Sequence, residues 1–562
     1  MTRRRILLPG LTDGYGREEA RSDLVGGITV AVMLIPQAMA YATLAGMPPV
    51  TGLYAALVPL VAYALFGTSG QLAVGPVALI ALLTADGLAD FAEGDVGAYV
   101  AGAATLALMV GAINVILGVL RAGTLVNFLS HEVISAFTSA AALVIGLSQI
   151  RSLLGMDLPR PDGFLGGVAD ILGSPDLIDP TTALVGLGAV AVLALGRRWR
   201  RRWPWPLLAA AGAAALVGLL DIPVRIVGEV PSGLPSPMLP SLDPDTLVAL
   251  LPTAATIAVI GYLEGVSVAK ALDESDDVDA DRELLGIGAA NLAAGFFGAF
   301  PVAGGFSRSA VSAQAGSRTV LSGVVAAVAI AITLLFLTPL FHDLPTAVLA
   351  AIIVVAVAGL LDFAEPRHTL KVRRTDFFAW LLTFGATLLI DVEIGIAVGA
   401  AFGLLAFIQR SAQPHITELG RVRGTNRLYR NVDRFDTRED PTVLLARIDG
   451  PLYFANAKFI SDWFVDHVGA HEECRVVIID ASAISDMDSS SIRSMRELED
   501  RLHARGIELH LAAVRGPVED VLGRSGAWQR SRTTAHADVA TAVQVVTAAG
   551  SPLRKSSDDG DA

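Results

Sequence analysis

The chain has 562 residues, of which 53% are hydrophobic and 17% are charged, and its formal net charge is −13. Soluble proteins carry about 25% charged residues, so most of this chain is not expected to face water. Its single cysteine, Cys474, excludes an intramolecular disulfide, and no Cys/His spacing indicates a zinc site. The acidic balance, without a basic stripe interleaved with aromatic residues, argues against nucleic acid as a partner. These features predict a polytopic membrane protein that needs no metal or other cofactor.

The charged residues are unevenly distributed. Residues 411–562 carry them about twice as often as residues 1–410, so a membrane part is expected to precede a soluble part. The basic start has only a three-residue apolar run before Pro9, which is typical of a cytoplasmic tail rather than a signal peptide. The predicted organisation is an N-terminal tail over 1–22, a membrane domain over 23–410, a linker over 411–440, a soluble domain over 441–549 and a disordered tail over 550–562.

Apolar runs bounded by charges, Pro and Gly predict fourteen membrane segments. They lie near 24–44, 52–67, 75–88, 98–120, 126–147, 182–196, 205–221, 247–270, 284–300, 306–316, 319–341, 346–361, 376–391 and 394–410. Arginines and lysines concentrate in the loops after the sixth and twelfth segments, so the positive-inside rule places both termini in the cytoplasm. The third and tenth segments are too short to cross ~30 Å of hydrocarbon as straight helices.

These two short segments share a pattern. Leu72–Leu79 and Val302–Ser309 each read as a Gly-containing extended run followed by a helix, and Pro76 suits a first helical turn. Because they lie seven segments apart, they predict two inverted seven-segment repeats, over 23–221 and 247–410. Paired broken segments in inverted repeats indicate the binding site of a transporter. Facing helix N-termini attract negative charge, so the predicted substrate is an anion.

Ionisable side chains within membrane segments are costly and are therefore functional candidates. Glu264 lies at the middle of the eighth segment, and Arg308 lies at the start of the tenth, where it would add positive charge to the anion site. A structural ion pair between the two is the alternative. No motif of a hydrolase, metalloprotease or nucleotide-binding enzyme occurs outside an apolar segment, so enzyme activity is not expected.

The soluble part alternates strands and helices, which predicts a mainly parallel α/β domain. Its sequence Val476–Ser490, followed by Leu498 and the strand entry Arg505–Leu509, resembles a STAS domain, the module shared by sulfate transporters and anti-sigma-factor antagonists. The resemblance implies phosphorylation candidates at Ser489 and Ser490, although Ser491 stands where the antagonists have Gly. The alternative is that Asp488 and Ser489 cap the following helix, and that the domain docks cytosolic partners.

The membrane part resembles the SulP (sulfate permease) family, the bacterial branch of solute carrier family 26. The matching motifs are Ile35–Ala42, Gly46–Tyr54, Gly67–Ser69, Val74–Ala78, Asn127–His131, Asn291–Gly295 and Ser307–Ser309. The family implies an α-helical fold of fourteen segments, a core domain that moves against a gate domain, and a homodimer. One departure is Gly70, where the family commonly has Arg or Lys.

The resemblance also implies a set of site residues. The substrate-binding candidates are Gln37 and Tyr41, the backbone at Val77 and Ala78, and Ser307, Arg308 and Ser309. Glu264 matches the acidic residue that couples transport to a cation in some relatives. Sodium-dependent relatives carry a hydroxyl residue one helical turn later, where this chain has Val268, and a proton needs only the carboxylate. A proton is therefore the expected coupling ion, while Ser267 keeps sodium open.

The expected function is secondary active, proton-coupled uptake of sulfate or a similar inorganic oxyanion by alternating access, in a bacterial cytoplasmic (inner) membrane. Four alternatives stay open. The chain would otherwise be a sodium- or proton-coupled bicarbonate or C4-dicarboxylate transporter, an anion channel or exchanger, a nucleobase permease, or a membrane-tethered sensor with the STAS domain as its output.

Overall fold

In the computed structural model, apolar helices form one unit over residues 1–403, and a sheet flanked by helices forms a second over 404–562. The structure describes residues 15–89, 95–123, 130–158, 163–200, 203–240, 243–272, 278–390, 392–425, 427–527 and 531–548. The predicted tail over 550–562 and most of the predicted tail over 1–22 lie outside these ranges. Helix α1 already begins at Arg17, so the first segment starts before the predicted residue 24.

Within the described ranges, the first half of the membrane unit contains eight α-helices and one short strand. They are α1 (Arg17–Leu44), α2 (Pro49–Phe66), β1 (Val74–Gly75), α3 (Ala78–Gly87), α4 (Val96–Val119), α5 (His131–Leu154), α6 (Gly163–Gly173), α7 (Pro180–Trp199) and α8 (Trp205–Leu220). The second half repeats this order. It contains α9 (Pro244–Leu272), α10 (Ala280–Phe296), β2 (Ala303–Gly304), α11 (Phe306–Gln314), α12 (Leu321–Ile332), α13 (Thr346–Val357), α14 (Glu365–Val372), α15 (Arg374–Leu389) and α16 (Val392–Ala412).

These elements confirm the fourteen predicted segments in two inverted repeats. Within the described ranges, nine helices are long and apolar enough to cross a membrane by themselves. Two helices were not predicted, α6 and α14, and each follows the fifth segment of its repeat. Their equivalent places are further support for the internal symmetry. They escaped prediction because they are short, with 11 and 8 residues. Helix α6 is an apolar run shorter than a span, and α14 contains Glu365, Arg367, His368 and Lys371, so both resemble loops in sequence.

Helix packing divides the membrane unit into the expected core and gate. In the core, α1 packs on α2 and α12, α2 and α4 pack on α10, and α9 packs on α3, β2, α4 and α11. In the gate, α5 packs on α7, α13 and α15. Small residues permit these close approaches. A Cβ at Gly111 of α4 would lie 2.5 Å from the backbone nitrogen of Leu292 on α10, too close for any side chain.

A seven-stranded sheet organises the second unit. Its strands are β3 (His415–Val422), β4 (Tyr429–Asn431), β5 (Thr437–Arg438), β6 (Val443–Asp449), β7 (Val476–Asp480), β8 (Glu508–Ala512) and β9 (Thr534–His536). The order is β4-β3-β6-β7-β8-β9, with β5 beside β3, and β6 to β9 run parallel. The flanking helices are α17 (Ala457–Ala470), α18 (Ser489–His503), α19 (Gly516–Arg524) and α20 (Val539–Ala548).

The predicted linker over 411–440 needs correction, because it contains β3, β4 and β5. Strand β3 pairs antiparallel with β6, and it buries Leu419 in the core formed by Leu445, Ile478 and Ala542. The polar composition of this segment suggested a linker. Strand β3 lies between β6 and the short strands β4 and β5, and only three of its eight residues are buried, so the segment carries few apolar residues and resembles a loop in sequence.

Candidate anion site at the paired half-helices

Each broken segment has a short extended stretch before its half-helix, called its leg below, which contains β1 in the first repeat and β2 in the second. The two legs pair with each other inside the core. Strands β1 and β2 run antiparallel, with Val74 opposite Gly304 and Gly75 opposite Ala303, and all four residues are buried. Helix α3 starts three residues after β1, and α11 starts two residues after β2. This pairing therefore brings the N-termini of two short helices, one from each repeat, to the same place.

Both N-termini lack a side-chain cap. The residues that precede the first turns, Val77 and Gly305, have extended backbones, and no side chain in the described ranges accepts a hydrogen bond from either first turn. The first N–H groups of a helix have no intrahelical partner, and the helix dipole places partial positive charge there. Two such ends in one buried place form a favourable environment for an anion.

Arg308 lies between the two legs and is only 2% exposed. Its Nη1 donates to the carbonyl oxygen of Pro76 at 2.6 Å, and its Nη2 donates to that of Ala73 at 3.4 Å. Its Nε is buried and has no hydrogen-bond partner among the described residues. The guanidinium group thus joins α11 to the leg that leads into α3, and its Nε–H remains an unused donor.

Gly305 makes room for this side chain. A Cβ at that position would lie 2.6 Å from Cζ of Arg308 and 2.7 Å from its Nη2. A Cβ at Gly75, on the other leg, would lie 3.5 Å from the same Nη2, which is ordinary van der Waals contact. Only a glycine at position 305 therefore lets the guanidinium fold back over the start of its own helix.

Two serines, Ser307 and Ser309, flank Arg308, and the structure describes the side-chain contacts of Ser309. Ser309 is fully buried, and its Oγ accepts a hydrogen bond of 2.9 Å from the backbone N–H of Ala73. The N–H of Gly305 donates to the carbonyl oxygen of Ala73 at 3.2 Å. Ser309 therefore supports the junction of the two legs. The side chain of Ser307 lies outside the described part of the structure.

Helix α1 packs against both half-helices and supplies Gln37 and Tyr41. Each is 5% exposed, and their spacing of four residues puts them on one face of the helix. Leu34, one turn earlier, lies beside Gly75. The Oε1 atom of Gln37 is buried, and none of the described groups donates a hydrogen bond to it. A buried acceptor without a donor is unfavourable, and an approaching polar group would satisfy it.

Glu264 enters this region from α9. Close backbone approach brings α9 to β2, since a Cβ at Gly304 would lie 2.9 Å from Cα of Gly265. Glu264 is partly exposed, and its buried Oε2 has no hydrogen-bond partner in the described ranges. Its carboxylate interacts electrostatically with the guanidinium of Arg308. One turn further, Val268 is buried, whereas Ser267 is exposed.

Two buried carboxylates escaped the sequence analysis. Asp23 accepts hydrogen bonds from the backbone N–H groups of Arg318 at 2.8 Å and Thr319 at 3.0 Å. Glu283 accepts from those of Thr68 at 2.8 Å and Ser69 at 3.2 Å. The bonded residues belong to the loops that follow α11 and precede β1, so both carboxylates fix the outer ends of the broken segments. Glu283 lies in a first helical turn, where acidic residues are common, and Asp23 lies just before the predicted first segment, so neither gave a signal.

The same two loops touch at Gly70. A Cβ there would lie 2.6 Å from the carbonyl oxygen of Arg318 and 2.8 Å from Cα of Thr319. The departure from the family pattern at this position thus has a packing reason in this chain: the backbone of the other loop occupies the space of a side chain. Asn291 fixes the leg that contains β2, because its Oδ1 accepts a hydrogen bond of 2.9 Å from the N–H of Val302, the residue before that strand.

In the second unit, the predicted helix cap is present. Asp488 precedes α18, and its Oδ1 accepts from the N–H of Ser491 at 2.7 Å. Burial alone would raise the pKa of Asp488, but the N–H groups of Ser491 and Phe454 stabilise the charged form and hold this pKa below its ordinary value. Ser489 is exposed and Ser490 is partly exposed at the first turn of the same helix.

No group of three or more His, Cys, Asp or Glu residues in the described ranges is arranged to hold a metal. A helical membrane unit of two inverted repeats with paired broken helices defines the class: the protein is a membrane transporter.

Comparison with known proteins identifies the family. The model of the sulfate permease family matches residues 21–383, and that of the STAS domain matches residues 434–541. Sulfate transporter 4.1, chloroplastic, of Arabidopsis thaliana is 38% identical over 531 residues, covering 91% of this chain and 77% of the relative. A probable sulfate transporter of Mycobacterium tuberculosis is 34% identical, covering 90% and 92%.

Among solved structures, the murine Solute Carrier 26 family member A9 anion transporter has the same fold. Its TM-score is 0.87 at 24% identity, covering 96% of this chain and 93% of that chain. The chain belongs to the sulfate permease family, with a STAS domain at its C-terminal end. Like its relatives, it is a transporter of anions and not an enzyme.

Proposed function

We propose that this chain takes up sulfate or a similar inorganic oxyanion, bound between the N-termini of α3 and α11. The observation that carries the proposal is the β1–β2 pairing, which joins two uncapped helix ends beside the buried Arg308. The backbone N–H groups after Val77 and Gly305 would contact the anion. The unused Nε–H of Arg308 is a further hydrogen-bond donor beside this space. The names of the most similar relatives favour sulfate.

Transport would follow from movement of the core helices against the gate helices. The anion site lies within the core, since α3 and α11 pack on α1 and α9. The core would therefore carry the bound anion from one side to the other as a unit, which is alternating access by relative motion of two domains. A homodimer in a bacterial inner membrane, with both termini in the cytoplasm, is part of the same proposal.

A proton is the proposed coupling ion, and Glu264 is its proposed site. Sodium needs several oxygen ligands, but one turn beyond Glu264 the chain has the buried Val268, and the nearby Ser267 is exposed. A proton requires only the unpaired carboxylate oxygen. Protonation of Glu264 would neutralise it while the incoming anion interacts with Arg308, so one proton would offset half of the charge that a divalent sulfate brings to the site.

Radiolabelled sulfate uptake into proteoliposomes tests the proposal. Wild-type uptake should saturate and rise with an inward proton gradient, without a sodium requirement. Arg308→Ala should abolish it, whereas Arg318→Ala, which removes an exposed arginine paired with Glu19, should not. Undiminished uptake by Arg308→Ala would refute the site. Glu264→Gln should retain sulfate counterflow and lose the response to the proton gradient, and a full response would refute the coupling role.

The same assay separates the alternatives. Backbone N–H groups recognise negative oxygen atoms irrespective of what carries them, so bicarbonate and C4-dicarboxylates are the competing substrates. Uptake of bicarbonate or fumarate without uptake of sulfate would show that the substrate is one of these anions and not sulfate. A channel would show single-channel currents and no counterflow. Unsaturable flux in the presence of such currents would overturn the carrier mechanism.

A further inference from the structure

The turn between α7 and α8 exposes an unusual cluster of aromatic and basic side chains. Trp199 is 75% exposed and Trp203 is 48% exposed. The guanidinium of Arg200 lies 5.5 Å from the ring centre of Trp199 and 5.4 Å from that of Trp203. Trp203 in turn stacks on Trp205, with ring centres 5.8 Å apart. A cation held by two exposed indoles keeps its charge and loses much of its freedom of movement.

An apolar groove of about 640 Å³ adjoins this cluster. Its lining residues are Val192, Leu195, Gly196, Arg198, Trp199 and Trp205. Gly196 and Trp205 bring the two helices together, because a Cβ at Gly196 would lie 2.3 Å from Cδ2 of Trp205. Arg198 is the charged residue of the lining. The groove therefore combines a wall of aliphatic and aromatic groups with a positive charge at its rim.

The charge of this region is of one sign. The sequence from 180 to 220 contains five arginines, all within 197–202, and no acidic residue. Arg197 donates to the carbonyl oxygen of Val355 at 3.2 Å and holds α7 on α13. Arg198 and Arg200 remain for an external partner. By the positive-inside rule this turn lies at the cytoplasmic surface of the membrane, where tryptophan is also enriched.

We propose that the α7–α8 turn binds an anionic phospholipid of the cytoplasmic leaflet. Its phosphate would lie against Arg198 and Arg200, and an acyl chain would occupy the groove beside Val192 and Leu195. Basic pockets between transmembrane helices at the cytoplasmic surface are suited to anionic lipid headgroups. Because α7 and α8 belong to the gate, such a lipid would contact the part of the transporter against which the core moves.

Quenching of tryptophan fluorescence by brominated lipids tests this proposal on the full-length protein. The chain has six tryptophans, and three of them lie in this turn. In bilayers of equal total bromine content, brominated phosphatidylglycerol should quench more strongly than brominated phosphatidylcholine. The Arg198→Gln/Arg200→Gln variant should lower the relative affinity for phosphatidylglycerol about 30-fold, as expected for two arginines near a charged surface.

Matched variants make the result specific. Arg430→Gln/Arg434→Gln removes two exposed arginines of the second unit and should leave the lipid preference unchanged. Trp199→Phe/Trp203→Phe should remove more than half of the quenching difference, whereas Trp463→Phe should not alter it. Equal quenching of the wild-type protein by both lipids would overturn the proposal. A preference that persists undiminished in Arg198→Gln/Arg200→Gln, or in Trp199→Phe/Trp203→Phe, would also overturn it, because the anionic lipid would then bind elsewhere.

Discussion

Replacing Gly305 by alanine should disable anion uptake without removing any charge. The backbone of Gly305 has φ −89° and ψ 121°, which alanine adopts readily, so the substitution introduces no backbone strain. The new Cβ would lie 2.6 Å from Cζ of Arg308. An ordinary contact requires about 3.4 Å, so the guanidinium must move by about 0.8 Å.

The magnitude follows from the hydrogen bond that this movement disrupts. The 2.6 Å bond between Nη1 of Arg308 and the carbonyl oxygen of Pro76 would lengthen by up to this amount, to about 3.4 Å. A hydrogen bond to a charged group contributes about 1.5–3 kcal/mol. If that bond holds the guanidinium in its transport-competent position, sulfate uptake by Gly305→Ala should fall about 10- to 100-fold in kcat/KM, measured in proteoliposomes.

Gly75→Ala is the matched control. Its Cβ would lie 3.5 Å from Nη2 of the same arginine, so Arg308 need not move, and uptake should stay within about twofold of wild type. Both variants should elute from size-exclusion columns as the wild-type protein does. Wild-type uptake by Gly305→Ala, or equal impairment of the two variants, would show that the position of Arg308 does not govern transport.

Two further predictions concern packing and the helix cap. Gly70→Ala should lower the free energy of unfolding by about 1–3 kcal/mol, because its Cβ would overlap the carbonyl oxygen of Arg318. Gly146→Ala, with open space around the Cβ inside helix α5, should leave the protein as stable or raise its stability by about 0.5–1 kcal/mol in thermal unfolding assays. Equal melting temperatures of the two variants would contradict the close contact of the two loops. Asp488→Ala should destabilise α18 by about 1 kcal/mol, seen as faster hydrogen exchange in that helix, and unchanged exchange would refute the capping role. Since the pKa of Asp488 is lower in the folded state, its contribution should be complete above the unfolded value of about 3.9 and be lost as the pH falls through the folded value. A helix α18 whose exchange protection in the wild-type protein does not respond to acid would argue against that shift.

The large features of this fold were predictable because membrane segments leave a strong signal. About twenty consecutive apolar residues have few alternative structures, so the long helices emerged from the sequence. The broken third and tenth segments were predictable because Gly and Pro interrupt otherwise apolar runs. Their equivalent places in the two halves then predicted the inverted repeat and the meeting of α3 with α11.

The details of the site depend on long-range contacts that carry no local signal. The sequence predicts a positive charge at Arg308, but not that its guanidinium reaches the carbonyl oxygens of Ala73 and Pro76, some 230 residues earlier. The hydrogen bonds of Asp23 and Glu283 to distant loops were equally invisible. Strand β3 was missed for a related reason, since its few apolar residues become recognisable as a strand only beside its partner β6.

Protection of an introduced thiol tests the central claim most directly. Cys474, the single cysteine, is buried in the second unit, so Cys474→Ser gives a cysteine-free background in one step. Ala78→Cys would then place a thiol at the first turn of α3. The account predicts that sulfate slows its labelling by a small thiol reagent, with half-protection at the KM for uptake, and does not slow labelling of Ser489→Cys. A labelling rate at position 78 that saturating sulfate leaves unchanged, in a variant that still transports, would contradict anion binding between the half-helices.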